Sequence, residues 1–189
     1  KMRGANLFRT VFFMPNLIGG VVLGYIWSLI FDGILKNYST YLTANGTYGF
    51  WGLVILVAWQ QIGYMMIIYI AGLQAVPGDM LEAAKIDGAS EWKTLWDIII
   101  PNVMPSITIC TFLTLTNSFK LYDQNLALTN GRPYNGAIHT TEMLALNIVN
   151  SNTLKTKGVG QAKAVMFFVL VAIIGIFQMK STHDKEVQQ

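Results

Sequence analysis

The sequence predicts an all-α polytopic membrane protein with four transmembrane helices, and two observations carry that prediction. Charged residues make up only 12% of the 189 residues and hydrophobic ones 53%, whereas soluble domains carry about 25% charged residues. The apolar residues are also gathered into blocks. Residues 10–31, 50–76 and 159–179 each reach the length of about 20 residues that crosses a bilayer core, and 103–119, studded with Thr and Asn, falls at the short end of that range.

The composition excludes several classes of function. The net charge of +3 is modest and dispersed, so no nucleic-acid partner is expected. Cys110, the only cysteine, lies inside an apolar run and reads as a packing residue. His139 and His183 stand far apart in polar segments, so no metal is assigned. No Gly-x-Ser-x-Gly or Walker-type loop occurs, and no catalytic residue is assigned. The first apolar run is too long and Gly-interrupted for a signal peptide. It follows closely on an opening Lys1-Met2, which gives the expectation that an N-terminal part precedes residue 1.

Taken in order, Pro15, Gly19, Gly20 and Gly24 interrupt the first span and suit close packing against neighbouring helices. Residues 32–49 form a polar connection with Asn, Gly and Thr turn formers, and Trp51 suits an interfacial anchor. The second span stops at Pro77-Gly78. A mixed-charge segment comes next. Asp79 and Glu82 read as a capping box, and Gly88 ends the first short helix. Ser90 caps a second, along which Trp92, Leu95, Trp96 and Ile99 give one apolar face. Pro101 and Pro105 mark the start of the third span, so residues 77–101 are expected as an amphipathic helix–turn–helix on the membrane surface. Residues 120–158 form a long polar stretch, with a turn at Leu128–Pro133 and a short helix at Thr141–Val149, before the last span and a polar tail.

Polar side chains inside spans tend to face a bundle interior or a cavity, because lipid makes them costly. Gln60, Gln61 and Tyr64 fall within about one turn of the second span, and Thr114, Asn117 and Ser118 within about one turn of the third. Each could contact a ligand or simply bond between helices. Lys120 and Asp123, three apart beyond the third span, read as a solvated pair or a contact for an outer partner. Loop charges leave orientation open. Lys1, Arg3, Arg9, Lys85, Lys93, Lys180 and Lys185 fall on one side; Lys36, Lys120, Arg132, Lys155, Lys157 and Lys163 fall on the other.

The mixed-charge segment resembles that of a known family, the permease subunits of bacterial binding-protein-dependent ABC importers of the carbohydrate-uptake branch. The family motif is Glu-Ala-Ala, three residues, Gly, then about nine residues and a hydrophobic-x-Leu-Pro ending. Glu82, Ala83, Ala84, Gly88 and Pro101 occupy those places, with Ile100 where Leu is usual. Asp87-Gly88-Ala89 and the preceding Ala71-Gly72-Leu73-Gln74, with Pro77, match the sugar branch. So do Arg9, Pro15 and Trp27 upstream. Thr129, Gly131 and Pro133 echo a downstream Thr-x-Gly-Gly-Pro turn in which Arg132 replaces the second glycine.

The resemblance implies a single transmembrane permease domain over residues 1–189, in the bacterial plasma membrane. It implies a six-span core, so the first two spans are expected to precede this chain. Residues 77–101 become the cytoplasmic coupling loop, with 32–49 and 120–158 facing outward. Its implied partners are a second permease subunit, two cytoplasmic ATPase subunits that bind the ATP, and an extracellular or periplasmic sugar-binding protein. No cofactor is implied for this chain. Glu82, Ala83, Ala84, Asp87, Gly88 and Pro101 would couple it to the ATPase. A sugar would pass between the second and third spans, at Gln60, Gln61, Tyr64, Thr114, Asn117 and Ser118.

The residues by themselves leave a channel or a structural membrane protein open. An intramembrane enzyme fits less well. Asp87-Gly88-Ala89 weakly resembles the metal-binding motif of membrane phosphoalcohol transferases, which need several carboxylates on facing helices, and none of the four apolar runs carries two.

Overall fold

The computed structural model describes residues 4–135, 138–152 and 156–183. Its elements are α1 (Ala5–Phe13), α2 (Gly20–Leu35), α3 (Gly46–Ala75), α4 (Gly78–Ile86), α5 (Glu91–Thr94), α6 (Ile100–Phe119), α7 (Asp123–Leu128), α8 (Leu144–Ser151) and α9 (Lys157–His183). A two-residue hairpin, β1 (Tyr134–Asn135) with β2 (Ile138–His139), is the only sheet among the described residues. Gly46–Ala75, Glu91–Phe119 and Lys157–Lys180 are each long and apolar enough to cross a membrane. Counting one bent pair as a span gives a fourth.

That bent pair modifies the expectation for residues 10–31. α1 runs into a 3-10 turn over Met14–Leu17 with Pro15 near its start, Ile18 is extended, and the chain leaves at 101° along α2. Pro15 has no N–H to continue an α-helical ladder, and its fixed φ suits a first turn. Both arms are seated by glycines. α1 crosses α3 at Gly63, where a Cβ would lie 1.8 Å from the Phe12 carbonyl oxygen. α2 lies along α7, where a Cβ on Gly24 would lie 2.7 Å from that of Ala127. Such backbone contacts are what small residues permit between membrane helices.

α3 begins four residues before its apolar run, because the Asn45 side chain caps it by accepting from the Thr47 N–H at 2.9 Å. At this end Leu42, Leu53, Leu56 and Leu128 form a buried cluster under Trp27, Phe31 and Leu35. The Leu42 N–H donates to Asp32 Oδ1 (2.7 Å), which ties the 36–45 connection down. Cβ atoms on Gly46 and Gly49 would meet Thr140 and Thr141 at 3.0 and 2.7 Å. The two long polar connections therefore gather at the same end of α3. α4 leaves its other end, about 45 Å away for 30 residues at 1.5 Å each.

The 120–152 connection is organised around Asn125, which is fully buried. Its Nδ2 donates to Thr129 Oγ1 (3.0 Å) and the Thr141 carbonyl (2.8 Å), and its Oδ1 accepts from the Met143 N–H (2.9 Å). Thr141 Oγ1 donates onward to the Arg132 carbonyl at 2.6 Å. The turn at Leu128–Pro133 carries left-handed Asn130 and Gly131. The short helix expected at Thr141–Val149 is α8, three residues later at its start. α8 is fastened to α9 by Lys163, whose Nζ donates to Asn147 Oδ1 (2.7 Å) and Ser151 Oγ (2.6 Å).

The mixed-charge segment departs from expectation in two respects. The capping box is not formed. α4 starts at Gly78 with Pro77 in the cap position and no side-chain cap bond, so Asp79 sits inside the first turn, where it can only complement the helix dipole. The second short helix does not end at Pro101 either. α5 passes through a π turn at Leu95–Ile99 into α6, making one helical stretch from Glu91 to Phe119. A proline ring clashes with the carbonyl four residues back. For Pro101 that residue is Asp97, inside the widened turn, which absorbs the conflict. The expected surface helix–turn–helix is thus one short helix, α4, and a turn leading directly into a span. The expected Ser90 cap is present, its Oγ accepting from the Lys93 N–H at 3.3 Å.

Candidate functional site

Two places carry the polar and charged residues singled out in the sequence. The first is a cavity of about 290 Å³ between α3, α6 and α7, lined by Val57, Gln61, Asn117, Lys120, Leu121, Tyr122, Asp123 and Gln124. It brings Gln61 of one span and Asn117 of the next to a common wall. Gln61 Oε1 is enclosed and has no hydrogen-bond partner. A buried acceptor without a donor costs about 1–3 kcal/mol, and because this oxygen is enclosed, a group in the cavity reaches it only if the Gln61 side chain turns.

Gln60 lies beside this cavity and is already engaged. Its side chain is buried. Its Nε2 donates to the Ile18 carbonyl (3.2 Å), and its Oε1 accepts from Gln124 Nε2 (2.8 Å). It joins α3, the cavity wall on α7 and the bend between α1 and α2. Tyr64 is half-buried, its ring 6.5 Å from that of Phe13, and does not line the cavity. Thr114 and Ser118 are exposed on α6, and the Ser118 hydroxyl donates to the Thr114 carbonyl at 2.8 Å. Neither reaches the cavity. The geometry thus unites Gln61 and Asn117, turns Gln60 to a bonding task, and leaves Tyr64, Thr114 and Ser118 outside.

Tyr122 and Gln124 were not among the sequence candidates, because they lie beyond the end of the third span. Lys120 caps the C-terminus of α6 and Asp123 opens α7. They share the cavity without forming an ion pair with each other among the described residues. An unusual density of polar side chains over 117–125, directly after an apolar run, was the available signal.

The second place is the mixed-charge segment. Glu82, Ala83, Asp87 and Gly88 are exposed, Ala84 is buried, and Pro101 is half-buried in α6. Gly88 adopts φ +71°, a left-handed conformation that glycine takes without cost, and this turns the chain between α4 and α5. A groove of about 490 Å³ lies in the angle, lined by Ala84, Asp87, Gly88, Ser90, Lys93 and Asp97 among others. Ile86, Trp92 and Trp96 are 86%, 72% and 61% exposed, so the apolar face of this segment is not covered by this chain. Clustered exposed apolar residues of this size mark a surface that meets a partner or a membrane.

The family described as "Binding-protein-dependent transport system inner membrane component" matches residues 1–180. The chain is 44% identical over its whole length to the "Probable starch degradation products transport system permease protein AmyD" of Thermoanaerobacterium thermosulfurigenes, covering 66% of that protein. It is 30% identical to the "Multiple sugar-binding transport system permease protein MsmF" of Streptococcus mutans, with 99% of this chain and 67% of that protein covered. The chain thus spans about two thirds of the length of these curated relatives. A bacterial ABC transporter involved in the import of the acidic polysaccharide alginate has the same fold, with a TM-score of 0.74 at 16% identity over 95% of this chain and 65% of that one.

Proposed function

The chain belongs to the family of binding-protein-dependent transport system inner membrane components, and from that membership we propose that it is a multi-pass permease subunit of an ABC importer for a sugar or related polyol. It forms the pathway with a second permease subunit. Two cytoplasmic ATPase subunits bind and hydrolyse the ATP, so this chain needs no cofactor and is a transport subunit, not an enzyme. An extracellular or periplasmic sugar-binding protein delivers the cargo.

The observation that carries this reading is the segment from Pro77 to Pro101. A short helix closed by left-handed Gly88, with Glu82 and Ala83 exposed, stands between two membrane-length helices, and the turn at Gly88 leads directly into the second of them. α4 docks in a groove of the ATPase, and Glu82, Ala83, Ala84, Asp87 and Gly88 make the contact. Because α5, the π turn and α6 form one stretch through Pro101, a displacement of α4 is passed along α6 to Asn117. Gln61 and Asn117 meet the cargo between the spans. Amides suit neutral hydroxyls, which donate and accept. The relatives named for starch degradation products and multiple sugars support that cargo class.

The test is ATP hydrolysis by the purified assembly in proteoliposomes. Hydrolysis that is inhibited by vanadate and stimulated by the sugar-loaded binding protein is expected. Sugar flux sustained by this chain without ATP or partners would overturn the reading.

A further inference from the structure

We propose that the groove between α8 and α9 is a phospholipid site: the headgroup phosphate sits on Lys163, and one acyl chain lies along Met166, Phe167 and Leu170. This site is separate from the cavity between α3, α6 and α7 and does not depend on the identity of the cargo.

The groove has a volume of about 280 Å³. Leu144 and Ile148 of α8 wall it, Met166, Phe167 and Leu170 of α9 form its floor, and Lys163 with Asn147 closes one end. On α9, Lys163 and the three floor residues stand at i, i+3, i+4 and i+7, so they make one stripe about 10 Å long down a single helix face. The stripe is polar at its top and apolar below. Phe167 is held edge-on against Phe119 of α6, their ring centroids 6.2 Å apart, which fixes the floor. Leu144, Met166 and Leu170 are all exposed, so the groove opens to whatever surrounds α9. α9 is long and apolar enough to cross a membrane, and no residue of its most apolar stretch is buried. The groove therefore continues the face that this helix turns to lipid.

Depth puts a headgroup at the polar end. Residues 164–179 carry no Asp, Glu, Lys or Arg, and Lys163 and Lys180 bound them. Those 16 residues measure about 24 Å along the helix, close to the hydrocarbon thickness of about 30 Å. Lys163 thus stands at the boundary between core and headgroups, in the leaflet away from α4. Its side chain is half-buried, and its two bonds go to neutral oxygens, Asn147 Oδ1 (2.7 Å) and Ser151 Oγ (2.6 Å). An ammonium has three N–H donors, so one remains for a ligand. The carboxylate tied into the same network, Glu142, accepts from Nδ2 of Asn147 and of Asn150. It makes no ion pair with Lys163 among the described residues and does not line the groove. Lys163 is therefore the one charged group on the groove wall, and no carboxylate there offsets it. A charged side chain kept at this depth is costly and marks a site. A phosphodiester oxygen supplies its counter-ion through a charge-assisted hydrogen bond, and the chain beneath covers the apolar stripe.

The test uses the complete importer in nanodiscs that contain phosphatidylglycerol with a photoreactive diazirine in its acyl chain, followed by mass spectrometry of the labelled peptides. Labelling of Met166, Phe167 and Leu170 is expected to saturate. Unlabelled phosphatidylglycerol should compete with it, and diacylglycerol, which has the same chains and no phosphate, should not. Val165 and Phe168, exposed on other faces of α9, report ordinary lipid contact that does not saturate. Lys163→Met should lower labelling of the stripe about fivefold or more, the size of one partly screened charge interaction. That change also releases α8, so Leu170→Trp, which fills the groove with the Lys163 bonds intact, should lower labelling of Met166 and Phe167 as well. Stripe labelling no stronger than that of Val165 and Phe168, equal competition by diacylglycerol, or unchanged labelling in either variant overturns the proposal. A stripe left unlabelled overturns it too, since a protein subunit then covers the groove.

Discussion

A side chain at Gly63 has nowhere to go, because a Cβ there would lie 1.8 Å from the Phe12 carbonyl oxygen and 2.2 Å from its carbon. Backbone cannot swing aside as a flexible side chain can, so Gly63→Val must displace α1 from α3. The expected cost is at least about 3 kcal/mol, the upper range for forcing extra volume into a packed interior. Gly33 is the control, since nothing lies within 4 Å of a Cβ there. Thermal melting of the detergent-solubilised assembly should show a large drop for Gly63→Val and almost none for Gly33→Ala. Equal melting of the two would show that the crossing at Gly63 is looser than these distances require. The sequence does not distinguish these two glycines, because the difference lies in what faces them from another helix. The same holds for Asn125, a polar residue in a polar stretch whose three bonds converge only once Thr141 and Met143 are folded over it.

At the level of elements, local signals foretold local events. Pro77-Gly78 ends the second span, Gly88 turns the chain and Ser90 caps α5. Signals that depend on a neighbouring turn failed. Asp79 cannot cap α4 because Pro77 occupies the cap position, and Pro101 does not end a helix because the π turn precedes it. The 101° bend between α1 and α2 also depends on distant residues. Pro15 permits it, but Gln60, more than 40 residues away, holds it by bonding the Ile18 carbonyl while accepting from Gln124. Replacing Gln60 by Leu keeps most of the volume and leaves both partners unpaired in a part-buried place. A destabilisation of about 1–3 kcal/mol per stranded group is expected. Spin labels on the exposed residues Leu7 and Ile34 should report a broadened distance distribution in Gln60→Leu. A distribution as narrow as the wild type would mean that the bend is held by packing alone.

Across the whole molecule, the membrane class, the apolar runs and the family resemblance were legible in composition and motif spacing. The pairing of spans was not. Gln61 and Asn117 share a cavity because α3 packs against α6, whereas Thr114 and Ser118, on the same helix as Asn117, do not reach it. The candidate pathway narrows accordingly to one residue from each span, extended by Lys120, Asp123 and their neighbours. The polar segments of the molecule lie at opposite ends of α3. Both long polar connections gather at the Gly46 end of α3, and the mixed-charge segment leaves from the Ala75 end. The central claim is that motion enters at α4 and reaches the cavity through α6. On this proposed path Gly88 is the hinge, and its left-handed φ of +71° with open space around it makes its requirement one of backbone conformation. A β-branched residue there costs at least about 1–2 kcal/mol in that conformation and would redirect α4. The direct measurement is ATP hydrolysis and sugar uptake, side by side, in proteoliposomes carrying the Gly88→Val assembly. Hydrolysis that persists while uptake falls about tenfold or more, the equivalent of roughly 1.4 kcal/mol, is the predicted result. Normal uptake by a well-expressed Gly88→Val permease would contradict it.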